Sequence, residues 1–365
     1  MNSPLISTKP QPALTIRAGR RAMAHIRDNG LAASEVSLVP GAAGGAKALA
    51  LSGLDRFIFG HWLPSAPRVR ILIGSSIGSW RFACAAQRDP VAALARFADA
   101  YIEQRYTARP SLEEITDKSY ALLDTLIAGE AEYITSHPHY RLCILTARSK
   151  GWIASESRRR LTTALGLAAS ANLLSRRHLR HFFERVLCID PRCEAEALFA
   201  LDDHPTRTVA LNADNLRPAL FASGAVPLIM RGVTELSGAG AGTFRDGGMV
   251  DYHLDLPFAR QPGIALYPHF GSRIAPGWFD KALPWRNVSA ANLDNVVLIA
   301  PSRDYVTRLP FGKIPDRNDF KRFAGRDAER IAYWRTAVAE SERLADEFRT
   351  LVETGRIADR MLPLS

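Results

Sequence analysis

Cysteine is scarce in this chain of 365 residues: Cys84, Cys143, Cys188 and Cys193 form no C-x-x-C pair, and none stands with histidines at zinc-ligand spacing. They read as buried free thiols of a reducing compartment. No stretch approaches the roughly 20 consecutive apolar residues that a bilayer-crossing helix requires. The amino terminus has no unbroken apolar core followed by a small-residue cleavage site, since Ala22 to Arg27 mixes charge into that region. The expectation is therefore a cytoplasmic chain. There is no internal repeat, no low-complexity tract and no Pro/Gly/Ser linker long enough to separate domains. Nucleotide signatures are missing too: Lys47 is followed by Ala48 where a P-loop needs Ser or Thr, and G-x-G-x-x-G does not occur. His137, His139, His178 and His181 have no acidic or cysteine partners at ligand spacing and read as solvated or helix-face histidines. No metal and no organic cofactor are expected.

What is present is a hydrophobic fraction of 47%, enough for a substantial core, and a formal net charge of +10 that is unevenly placed. Between Arg141 and Arg185 ten Lys/Arg face two acidic residues, so this segment carries +8 of the +10. A clustered basic face attracts an anionic partner, whether a membrane surface, nucleic acid or an acidic protein; the plain alternative is a solvated helix. Nucleic acid is not expected, because no recognised motif is present and the cluster lacks regularly spaced aromatic residues. Arg158-Arg159-Arg160 precede the mostly apolar Leu161–Leu174, and Arg176, Arg177 and Arg180 follow. Fourteen residues cannot span a bilayer, yet such a helix can lie among headgroups or cover a site as a lid. Peripheral contact with an anionic membrane through Arg158–Arg185 thus stands beside a core helix with basic ends.

Short apolar runs at Val36–Val39, Val69–Ile73, Leu142–Leu145, Thr208–Leu211 and Val296–Ile299 look like buried strands. Between them lie amphipathic segments at Pro90–Tyr106, Leu112–Ile127, Arg158–Val186 and Asp319–Val352. The alternation favours a three-layer α/β sandwich with a central, largely parallel sheet flanked by helices. The expected organisation is an N-terminal helical extension over residues 1–34 and a main domain over 35–310 with a basic helical insertion near 155–187. A charged C-terminal helix over 311–365 packs on that domain and is assigned no chemistry.

Three groups of residues carry chemistry. An apolar strand runs into Gly74-Ser75-Ser76-Ile77-Gly78, a G-x-S-x-G on a strand-to-helix turn that exposes a serine hydroxyl beside helix amides. Upstream, Gly41-Ala42-Ala43-Gly44-Gly45-Ala46-Lys47 is a glycine-rich turn able to converge N–H groups on an anion. Downstream come Ala222-Ser223-Gly224-Ala225-Val226-Pro227 and then Asp246-Gly247-Gly248. In this order the motifs resemble the patatin-like phospholipases, lipid acyl hydrolases with a Ser–Asp dyad, over Val36 to Pro257. The resemblance implies Ser76 as nucleophile, Asp246 as base, and Gly44, Gly45 and Ala46 as oxyanion donors. Ile77 N–H is a further donor by the geometry of the turn. Ala43 and Ala48 stand where the family usually has glycine, and the leading Asp of its loop is missing, but backbone N–H groups survive such changes.

The expected activity is hydrolysis of a lipid or other acyl ester through an acyl-enzyme. A Ser-Asp-His triad esterase or thioesterase is an alternative, with His253 and His269 the only histidines after Asp246. A catalytically impaired binding module of the same fold is another.

Overall fold

The computed structural model describes residues 11–193 and 201–364. Ten strands among them build one mixed sheet: β1 (Leu14–Ala18), β2 (Val36–Gly41), β3 (Arg70–Ser75), β4 (Tyr140–Ser149), β5 (Phe183–Ile189), β6 (Thr206–Ala210), β7 (Thr243–Asp246), β8 (Ile264–Pro268), β9 (Val296–Pro301) and β10 (Met361–Pro363). Their order is β10-β1-β9-β8-β2-β3-β4-β5-β6, with β7 joined to β4 off this path. The run β9-β8-β2-β3-β4 is parallel throughout, and antiparallel pairing is confined to β1/β9, β4/β5 and β4/β7. This is the α/β sandwich that the alternation of runs implies.

Both faces of the sheet are covered, which is why its strands read as continuous apolar runs. Leu72, Leu142, Ile144, Val186 and Cys188 point into one core, while Ile71, Ile73, Cys143, Leu145, Leu187 and Ile189 point into the other. Helices Ile77–Ala85, Pro90–Ile102, Leu112–Ile127 and Ala213–Gly224 close the first face. Their starts are fixed locally: Asp89 Oδ1 accepts Ala92 N–H at 2.9 Å ahead of Pro90, and Ser111 Oγ accepts Glu114 N–H at 3.0 Å. The second face is closed by the chain around Leu254, Leu256 and Phe258 and by Phe270, Ile274 and Leu293, largely in short 3₁₀ turns. Inside the first layer Arg81, on the helix after β3, donates to both oxygens of Asp55 at 2.7 and 2.5 Å with both side chains buried. It ties that helix to Ser52–Phe57.

Three sequence expectations differ from the structure. Residues 14–18, expected within a helical extension, form β1, antiparallel to β9 and parallel to β10, and among the described residues of that stretch the α-helix is confined to Arg20–Asn29, with a 3₁₀ turn at Ala33–Glu35; residues 1–10 lie outside the described residues. The expected helix Arg158–Val186 ends at Leu174, and Phe183–Ile189 is β5. Its polar Arg185 is no solvent position, because it is buried against Asp251 with N–O distances of 2.7 Å. The segment Asp319–Val352 is divided into Asn318–Arg322, Asp327–Glu340 and Glu342–Glu353. Cys84, Cys143 and Cys188 are buried free thiols, while Cys193 is half-buried. Among the described residues no helix is long and apolar enough to cross a membrane.

Candidate active site

The sheet itself brings two distant residues together. β3 runs along one edge of β4 as far as Ser75, opposite Leu145. β7 follows the same edge from the other end and stops with Asp246 opposite Thr146. Two strands meeting tip to tip on one template place Ser76 and Asp246 side by side, and Ser76 Oγ donates to Asp246 Oδ2 at 2.7 Å.

Ser76 holds φ 55° and ψ −128°, a conformation that costs a non-glycine residue of order 1–3 kcal/mol and persists where surroundings fix it. Here Ser223 does the fixing. Its Oγ accepts Ser76 N–H at 2.8 Å, donates to Leu145 O at 2.6 Å and lies 3.1 Å from Ser79 Oγ. The A-S-x-A-x-P motif thus acts as a clamp on the turn, a role the sequence pattern does not disclose. Asp246 is held by its own N–H on Ala225 O at 3.0 Å and by Gly248 N–H on Oδ1 at 2.7 Å.

The glycine-rich loop lies against both groups. Ala43 N–H donates to Tyr252 O at 2.8 Å, and a Cβ on Gly248 would stand 2.9 Å from both Ala43 Cβ and Asp246 Oδ1. Gly44 packs on the Phe270 ring, and Gly45 holds φ +58° with its open side against the Arg317 side chain. Gly45 opens a 3₁₀ turn whose first bond is Lys47 N–H to Gly44 O, so the amides of Gly45 and Ala46 precede any intrahelical acceptor. Ile77, first residue of the helix after Ser76, stands in the same position. The structure therefore gathers Ser76, Asp246, Ile77 and the loop Gly44-Gly45-Ala46 in one neighbourhood.

Ser76 and Ile77 open onto a cavity of about 970 Å³ whose apolar lining includes Trp80, Tyr101, Leu122, Leu161 and Met230. Residues of the C-terminal segment between Arg317 and Asp327, expected to carry no chemistry, form one wall of it. Arg317 is the main omission. Its charge is the largest influence opposing burial at Asp246, whose carboxyl is nonetheless held above the ordinary carboxylate range because burial disfavours the anion. Lys281 also opposes it, and burial beside Lys47 and Arg317 brings the Lys281 ammonium down to about 8.

The two candidate triad histidines are not at the dyad. His253 Nδ1 accepts Ala275 N–H at 2.9 Å and His269 Nδ1 accepts Gly271 N–H at 3.0 Å. Burial pushes His253 well below the ordinary imidazole value and His269 down to about 3, so both are neutral packing groups with rings 4.4 Å apart. Among the described residues no histidine hydrogen-bonds Ser76 or Asp246. His137, expected at a solvated or helix-face position, is instead buried just past the end of the helix Ala131–Ser136, and its Nδ1 accepts the N–H groups of His139 and Tyr140 at 3.1 and 2.9 Å. No protein-family model and no curated protein matches the chain.

If Asp246 acts as a base toward Ser76 it must be ionised, which gives the site a testable pH dependence. Hydrolysis is expected to fall on the acid side as Asp246 takes up a proton, and Arg317→Gln, which removes the charge that lowers that carboxyl, should move the acid limb of kcat/KM to higher pH. If Arg317 serves only to bind substrate, KM rises and the limb stays where it is.

Proposed function

We propose that this chain is a serine acyl hydrolase of the patatin-like kind, cleaving acyl esters of lipids through Ser76 and Asp246. The observation that carries the reading is the 2.7 Å hydrogen bond from a serine on a strained turn to a buried carboxylate at the head of a largely apolar cavity. A serine hydroxyl is a weak nucleophile until a base takes its proton, and a carboxylate serves better as its affinity for the proton rises. Burial gives Asp246 that affinity.

In the proposed reaction Asp246 accepts the Ser76 proton as Oγ bonds to the ester carbonyl carbon. The amides of Gly44, Gly45, Ala46 and Ile77 stabilise the oxyanion. Collapse breaks the ester C–O bond, and the departing alcohol takes the proton from Asp246. Water then loses a proton to Asp246 and attacks the acyl-enzyme, releasing the acid and restoring Ser76. The cavity receives the acyl chain, with Trp80, Leu122 and Met230 supplying apolar contact and Arg317 near the oxyanion loop.

The test is covalent labelling with a fluorophosphonate probe alongside hydrolysis of a nitrophenyl acyl ester. Wild-type protein is expected to label at Ser76 and to hydrolyse the ester, and Ser76→Ala to do neither. Absence of label from folded wild-type protein, or label retained by Ser76→Ala, defeats the proposal; the first outcome favours a binding module.

A further inference from the structure

The helix Arg158–Leu174 carries large apolar side chains beyond its buried face. Toward the protein it turns Leu161, Ala164, Ala168 and Asn172, while Leu167, Leu173 and Leu174 face outward, Leu174 at 80% exposure. Leu167 and Leu174 are seven residues apart and share a face. Scattered surface leucines need no explanation, but a contiguous apolar patch does. Three exposed tryptophans stand on segments adjoining this helix. Trp152 lies in the turn Gly151–Ala154 and Trp278 in the turn Trp278–Ala282, both packed on this helix. Trp285, 64% exposed, adjoins Arg286, whose Nη2 donates to Asn172 O at 2.9 Å.

The cations around the patch are unspent. Among the described residues Arg158, Arg159, Arg160, Arg177 and Arg180 make no ion pair, whereas Arg176 approaches Asp251 and Asp280 at 3.9 Å. Three arginines at the amino end of a helix also oppose its dipole, and its first turn holds no acidic residue to offset them. The fold therefore gains nothing from them there, and an external anion does.

We infer that this face docks on an anionic bilayer, with Leu167, Leu173, Leu174, Trp152 and Trp285 entering the headgroup region and the flanking arginines meeting lipid phosphates. Outward leucines, interfacial tryptophans and unpaired arginines are the composition that lipid interfaces select. A second copy fits worse, because a two-fold contact would set arginine against arginine. The docking rests on surface chemistry alone. Its use rests on the hydrolase reading: Arg158 and Leu161, at the amino end of this same helix, line the Ser76 cavity, so the docked helix also forms part of the cavity wall.

Ser76→Ala full-length protein separates the two ideas, since it binds without turning lipid over. It is expected to sediment with vesicles of equimolar phosphatidylcholine and phosphatidylserine and to remain in solution with phosphatidylcholine alone. Arg159→Gln with Arg160→Gln should lower partitioning roughly thirty-fold, at about 1 kcal/mol per surface cation. Leu173→Ser with Leu174→Ser should lower it at least about ten-fold. All four side chains are exposed, and losing two arginines relieves the helix dipole, so the unfolding midpoint should not fall appreciably. Equal recovery in solution with both vesicles, or variants that bind as the parent does, overturns the inference. So does a concentration-dependent dimer that the leucine changes dissolve, which would give the face to a second copy.

Discussion

Asp246→Asn is expected to lower acyl-ester hydrolysis roughly 10⁴-fold while leaving the protein at least as heat-stable as wild type at neutral pH. The asparagine can still accept Gly248 N–H through its carbonyl oxygen, so the turn after β7 is preserved. Its amide cannot take a proton from Ser76, so the nucleophile loses its base. The stability half follows from linkage. Burial raises the Asp246 carboxyl above its ordinary 3.8, so the folded state binds this proton more tightly than the unfolded chain does. The stability this contributes is complete below the ordinary value and is lost as pH rises through the folded one. Asparagine has no charge to desolvate and escapes that loss. Thermal unfolding followed from pH 4 to 8 should show the variant gaining on wild type as pH rises. A carboxylate kept for structure would show the opposite, with Asn less stable at neutral pH and catalysis little changed.

The pairing of Ser76 with Asp246 was legible because the two sit in separate short motifs whose order along the chain is informative: Ser76 within G-x-S-x-G and Asp246 at the head of D-G-G. The sheet faces were legible for a simpler reason, since strands buried on both sides are continuous apolar runs. β5 was not, because Glu184 and Arg185 interrupt its pattern, and Arg185 is inside by virtue of two carboxylates, Asp203 and Asp251, the second 66 residues on. β1 was missed because Arg17 interrupts a five-residue strand completed by partners at the far end of the chain, β9 and β10. Arg317 and the cavity wall behind it carry no motif. Their position depends on the C-terminal segment folding back over the glycine-rich loop, and a helix rich in Arg and Glu looks the same from sequence whether its other side meets solvent or a site.

Gly78→Ala is expected to cost both stability and rate, although alanine is the better helix former and position 78 lies inside a helix. From sequence, this second glycine of G-x-S-x-G relieves a tight turn. The structure gives it a different task. A Cβ there would lie 2.1 Å from Gly41 O, 2.4 Å from Gly41 C and 3.0 Å from Ala42 O. These are backbone atoms at the end of β2 and cannot swing aside as a side chain could; relief requires the strand end and the loop Gly44-Gly45-Ala46 beyond it to move. Overpacking of this kind costs about 1–3 kcal/mol, and at this chain length each kcal/mol lowers Tm by about 2–4 °C or less. Displacing the loop by as little as about 1 Å should cost on the order of 10²-fold in kcat, because the amides no longer face the developing oxyanion. Gly166→Ala is the matched control: the same change within a helix, at a site where a Cβ meets nothing within 4 Å. It should stabilise by up to about 1 kcal/mol and leave kcat alone. Should Gly78→Ala behave like Gly166→Ala, the loop and the serine-bearing helix are not locked together at this crossing, and the loop must be aimed at Ser76 by its contacts with Tyr252, Phe270 and Arg317 instead.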